Sequence, residues 1–118
     1  MRLQNTTRGT TLATAIEHAR TPLARMKGLL GRDGLAEGGG LVIEPCTSIH
    51  MFFMRFPLDV LFVDDRGEVL RAIPRLQPWR LTRLYPQARY AAELPAGTIA
   101  RTGTQEGDTV LLSDEAGV

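Results

Sequence analysis

Leu12, Thr14, Ile16 and His18 share one parity in the chain, and this two-residue period predicts a first strand. The period then changes. Thr21 followed by Pro22 is an N-cap with proline at the first helical position, and Leu23, Met26 and Leu30 recur at helical spacing before Gly31. That pattern predicts a short amphipathic helix near residues 22–30, with Arg25 and Lys27 off the apolar stripe and solvated. From Gly40 onward the apolar runs are short and rich in β-formers: Leu41 to Glu44, Ile49 to Met54, Leu58 to Val63, Glu68 to Ile73, Ala88 to Leu94 and Thr109 to Leu112. Asp64-Asp65-Arg66-Gly67 has the chemistry of a hairpin turn, and Pro95-Ala96-Gly97 and Glu106-Gly107-Asp108 make later turns. Many short strands with one helix predict a mainly β (α+β) fold, an antiparallel sandwich or barrel.

At 118 residues and 43% hydrophobic content, the chain can close one core and is too short for two, so a single domain over 1–118 is expected. The run Gly38-Gly39-Gly40 is too short to separate domains. Fourteen basic residues against thirteen acidic ones leave a net charge of +1, which argues against a chain built to coat nucleic acid. Lys27 is the only lysine, so basic chemistry falls to arginine. Cys46 is the only cysteine, which excludes an internal disulfide. Met1 to Ala19 lacks the apolar stretch of a signal peptide, and no window reaches the ~18 apolar residues of a membrane span. The expected location is cytoplasmic, with no membrane partner.

Two blocks carry a family pattern: Arg25-Met26-Lys27-Gly28-Leu29-Leu30-Gly31-Arg32, and Ile49-His50-Met51-Phe52-Phe53-Met54-Arg55-Phe56-Pro57-Leu58-Asp59-Val60-Leu61-Phe62-Val63-Asp64. Together they resemble the domain of unknown function 192 family. Gly67-Glu68-Val69, Pro78-Trp79-Arg80, Glu93-Leu94-Pro95-Ala96-Gly97 and Gly107-Asp108 follow in that family's order, and the likeness covers about residues 12–112. The resemblance implies a mainly β, sandwich-like fold. It implies no activity and transfers no catalytic residue.

Chemistry must therefore be sought in the side chains. If Cys46 to Phe56 runs extended, Cys46, Ser48, His50, Phe52, Met54 and Phe56 face one way, and Thr47, Ile49, Met51, Phe53 and Arg55 face the other. A thiol, a hydroxyl and an imidazole then open into an apolar strip, as a pocket lining would. The same residues equally describe a core histidine bonded to backbone and a cysteine acting as a small hydrophobe. A cysteine hydrolase is disfavoured, because neighbours on one strand face are already ~7 Å apart and Cys46 and His50 are farther still. Two histidines and one cysteine do not close a tetrahedral metal site without carboxylates, so no metal and no cofactor is expected.

Asp59 lies in a strand whose two faces both read as apolar, where a carboxylate is costly unless satisfied. It either caps backbone N–H groups, pairs with Arg55 or Arg89, or serves a ligand beside His50. Glu93, ahead of Leu94-Pro95, poses the same choice. Between Arg71 and Ala92 there is no acid, and Arg71, Arg75, Arg80, Arg83 and Arg89 interleave with Trp79, Tyr85 and Tyr90. Pro74, Pro78 and Pro86 make this a loop with broken strand character. Such a segment is either a solvated loop whose arginines pair with acids elsewhere, or a platform that holds phosphates and stacks bases.

The leading expectation is a binding module for a small polar molecule or peptide, with Cys46, Ser48, His50, Asp59 and Glu93 as ligand-facing residues. The alternative is binding of single-stranded nucleic acid or an acidic partner through Arg71, Arg75, Trp79, Arg80, Arg83 and Arg89. A hydrolase using His50 and Asp59 as acid–base groups is the third.

Overall fold

A computed structural model describes residues 1–114. Its elements are β1 (Arg2–Asn5), β2 (Thr10–Ala13), β3 (Ala15–Ala19), α1 (Pro22–Lys27), β4 (Gly39–Ile43), β5 (Leu58–Val63), β6 (Val69–Leu76), β7 (Tyr90–Pro95), α2 (Thr98–Thr102) and β8 (Val110–Ser113). They form a three-stranded sheet in the order β2-β1-β8 and a five-stranded sheet in the order β3-β4-β7-β5-β6. The expected mainly β fold is present, and among the described residues it is a pair of sheets not closed into a barrel. Every strand pairing is antiparallel except β3 with β4.

The single strand expected over Leu12 to His18 is two. Thr14 is exposed and breaks the alternation, and the N–H groups of Thr14 and Ala15 both donate to the Gly38 carbonyl, so the chain steps from one sheet to the other there. Strand β1 and helix α2 were not expected, because each spans only four or five residues. The hairpin between β5 and β6 follows its turn chemistry. Asp64 Oδ1 accepts from the N–H groups of Arg66 and Glu68, and Gly67 takes φ +85°. Pro74 lies inside β6, which is tolerable because β6 is an edge strand.

Strand alternation on the larger sheet explains its two cores. Val42, Leu61, Val63, Tyr90, Ala92 and Leu94 face the smaller sheet and pack with Leu3, Leu12 and Val110. Leu41, Ile43, Leu58, Val60, Phe62 and Ala91 face the other way, against Leu29, Ile49, Met51 and Met54 from the segments that cover that face. All six residues of β5 are therefore buried. Full burial of a side chain such as Phe62 or Leu58 contributes roughly 1.5–3 kcal/mol.

Asp108 ties the smaller sheet together. Its carboxylate accepts from Arg8 Nε at 2.9 Å, from Asn5 Nδ2 at 3.0 Å and from the Gln105 N–H at 3.0 Å. These donors, Arg8 foremost, hold its pKa down at about 2.

Candidate functional site around Glu93

Strand β7 is the middle strand of the larger sheet, with Glu93 opposite Leu41 on β4 and Val60 on β5. Parity with Ala91 places Glu93 on the face that carries Ile43 and Phe62, in the midst of apolar side chains. It is 5% exposed, and its carboxyl group makes no hydrogen bond with any of the described residues. Burial pushes its pKa up to about 7.

The layer over this face is incomplete at Glu93. Helix α1 covers one side and the irregular segment after β4 covers the other, leaving a cavity of about 390 Å³ between them. Thr21 caps α1 by accepting the Ala24 N–H at 3.1 Å, and Gly28 ends the helix at φ +48°. Arg25, Met26 and Lys27 of α1 line the cavity, as do Cys46, Ser48 and His50 across from them, with Glu93 of β7. The Arg25 side chain is half-buried and its Nε is buried without a hydrogen-bond partner. Cys46 Sγ donates to the Ser48 carbonyl at 3.1 Å. Burial pushes the Cys46 thiol up; the charge of Glu93 adds to that effect and the charge of Arg25 opposes it. Both charges thus act on one sulfur from within the same cavity. His50 is exposed at the edge, stacked on Phe52 with ring centroids 5.2 Å apart.

The profile of the domain of unknown function 192 family, DUF192, described as an uncharacterized ACR, matches residues 3–112. The chain belongs to this family. The DUF192 chain is 31% identical over 112 residues to a UPF0127 protein of Thermococcus sibiricus, with 92% of this chain and 72% of that protein covered. Its fold is similar to that of a protein of unknown function from Novosphingobium aromaticivorans, with a TM-score of 0.78 at 23% identity, covering 94% of this chain and 82% of the other. It is also similar, with a TM-score of 0.76 and 27% identity over 93% of this chain and 89% of the other, to a Sinorhizobium meliloti protein described as a candidate transcription regulator.

Of the five residues expected to face a ligand, the DUF192 structure brings together Cys46, Ser48, His50 and Glu93. It leaves Asp59 out. Asp59 neighbours Val60, so it faces the opposite side of the sheet from Glu93. There its Oδ1 accepts the Arg75 N–H at 2.8 Å, and its Oδ2 accepts the Gly97 and Ile99 N–H groups at 3.1 and 2.7 Å. One bond quiets a donor at the irregular β5–β6 pairing, and the other two cap the start of α2. Asp59 pairs with neither Arg55, which binds Asp33 at 2.7 Å, nor Arg89, which binds Glu44 at 2.6 Å.

The extended reading of Cys46 to Phe56 is also corrected. The segment forms no strand among the described residues; His50 makes an isolated bridge with Leu81, and a turn follows at Phe52 and Phe53. Ile49, Met51 and Met54 are buried while Phe52 and Phe53 are exposed, which no two-residue alternation produces. The apolar stripe of α1 is likewise reversed. Leu23 and Met26 are 78% and 73% exposed, and the arginine expected in solvent is turned toward the cavity.

In the basic segment, Arg71 pairs with Glu106 at 2.8 Å and Arg89 with Glu44, so two of the five arginines are occupied. Arg80 and Arg83 are exposed with no acidic partner among the described residues, and the Arg75 N–H serves Asp59. Residues 79–85 pair with residues 47–51 through bonds such as Met51 N–H to the Arg80 carbonyl at 2.7 Å and Trp79 N–H to the Met51 carbonyl at 2.7 Å. The pairing gathers exposed rings: Trp79 lies 4.8 Å from Phe53 and 6.3 Å from Phe52, centroid to centroid. Phe53 and Trp79 both adopt positive φ, +65° and +70°.

Proposed function

We propose that this DUF192 domain is a binding module whose cavity beside β7 takes a small polar ligand through Glu93. One observation carries the reading: a carboxyl group 5% exposed in an apolar sheet face, without a hydrogen-bond partner among the described residues, opens onto a cavity. A group buried in that state is costly and is normally satisfied by the fold, as Asp59 is. Left unsatisfied beside a cavity, it is a built acceptor awaiting a donor. The two blocks that carry the family likeness meet there with one of its downstream stretches, contributing Arg25 with Met26, Ile49 with His50, and Glu93.

The test is an NMR screen of the 15N-labelled domain against a panel of small amines, amides and polyols. Binders should shift amides of residues 46–50 and 93 in a saturable way, and Glu93→Gln should weaken them by tenfold or more. A screen with no saturable shift at the cavity sinks the reading.

A second reading is favoured by the ring cluster. No acid occurs from Gln77 to Tyr90 or from Pro45 to Leu58, and this ribbon exposes Trp79, Phe53, Arg80 and Arg83 together. That combination suits a single-stranded nucleic acid, with rings for bases and guanidinium groups for phosphates. Trp79 is the only tryptophan, so its fluorescence reports contact directly. Quenching by an oligonucleotide should fade with salt at about 0.7 log units per neutralised phosphate. Unchanged fluorescence at low salt ends this reading.

A further inference from the structure

The charges lining the cavity are of both signs and do not pair with each other. Glu93 sits at its base, where burial raises its pKa. Arg25 and Lys27 approach from α1, and the Nε of Arg25 is buried with no acceptor. Arginine and glutamate in one low-dielectric cavity normally form a bidentate pair. Here Arg25 and Glu93 make no hydrogen bond to one another, though both line the cavity with Cys46.

A ligand that fills such a gap must satisfy two opposite demands. A simple cation would answer Glu93 but would meet the like charges of Arg25 and Lys27. A simple anion would answer the arginine but would meet the Glu93 carboxylate. Each half-match leaves one buried group unpaired, at the cost that makes polar sites reject incomplete ligands. Leu29, Leu30, Ile43, Ile49 and Met54 form an aliphatic part of the wall, beside the polar Thr47, Ser48 and His50. A cavity of about 390 Å³ lies at the small end of ligand sites.

We propose that the cavity is a receptor site for a small zwitterion with an aliphatic side chain, a free amino acid in chemical class. The ligand's ammonium group donates to Glu93, its carboxylate accepts from Arg25, and its side chain packs among the leucine and isoleucine wall. The proposal rests on the Glu93 reading above and adds the anionic half, the arginine and the apolar wall.

Three probes separate those parts: L-leucine, L-leucinamide, which lacks the carboxylate, and 4-methylpentanoate, which lacks the amine. Each is titrated into the labelled domain while amide shifts of residues 46–50 and 93 are followed. Leucine should bind at least tenfold tighter than either truncated probe. Arg25→Met should erase the advantage of leucine over leucinamide, and Glu93→Gln should erase its advantage over 4-methylpentanoate. Wild-type-like amide dispersion in each variant shows that the fold is kept; if Arg25→Met fails to fold, Arg25→Gln takes its place. Equal binding of leucine and leucinamide, both lost in Glu93→Gln, overturns the zwitterion and leaves the Glu93 acceptor standing. No saturable shift with any of the three also overturns it, and the broader screen then decides the cavity separately.

Discussion

Two carboxylates illustrate what a single residue reveals and conceals. Asp59 and Glu93 both stand in strands that read as apolar, and the sequence poses one question for both. The answer depends on neighbours far along the chain. Three backbone N–H groups, two of them nearly forty residues away, converge on Asp59, whereas none reaches Glu93. Cys46, Ser48 and His50 were legible as a polar cluster, while Arg25 was not, since helical spacing alone does not say which face of a short helix meets the core. The Glu93 burial has a thermodynamic signature. Its pKa in the folded protein, about 7, is above the ordinary value of 4.5. Its contribution is therefore most favourable below that ordinary value, falls as pH rises toward 7, and is level above it. The fall is on the order of 3 kcal/mol, from the size of the shift. Denaturant unfolding between pH 4.5 and 8 should show this decline in the wild type relative to Glu93→Gln, and the variant should be the more stable at pH 8. A difference that does not change with pH would mean that the Glu93 carboxyl is solvated.

Elements were legible where their period was long and their turns had specific chemistry. The β5–β6 hairpin and the Thr21-Pro22 helix start fall where their residues place them. The break at Thr14 did not, because it is made by a contact with Gly38 that no local pattern records. Residues 46–56 depart from the expected strand for a related reason: their strand-like composition fills a core from an irregular path, held by partners about thirty residues away. Tight packing between elements gives a direct test at Gly40 of β4. A Cβ there would lie 2.7 Å from Ile16 Cδ1, 3.0 Å from Leu94 Cδ2 and 3.1 Å from the Glu93 carbonyl oxygen. Gly40→Ala should cost about 1–3 kcal/mol in a denaturant titration, as overpacking of a core does. It should also disturb the cavity by pressing on the Glu93 backbone. A neutral substitution would show that the side-chain ends of Ile16 and Leu94 give way to the added methyl group.

For the whole molecule, the network around Asp108 makes the smaller sheet sensitive to acid. The folded pKa of Asp108, about 2, is depressed mainly by Arg8, so its contribution is present above the ordinary value of 3.8 and is lost as pH falls toward 2. Asp108→Asn should be less stable than the wild type at pH 7, and that gap should narrow between pH 4 and pH 2 when thermal unfolding is followed at both ends. A gap of constant size would place the role of Asp108 in its shape and not in its charge.

Strand β1 lies between β2 and β8, and β8 follows it by more than a hundred residues. On the ribosome, at ~5–20 residues per second, the first strand emerges and then waits roughly 5–20 s for the one that completes its sheet. During that interval Leu3 and Leu12 lack Val110, their partner in the core, and one edge of β1 is open to pairing with other nascent chains. The smaller sheet is thus the last part of the fold to close, and the protein's yield in a cell should depend on what shields that open edge during synthesis.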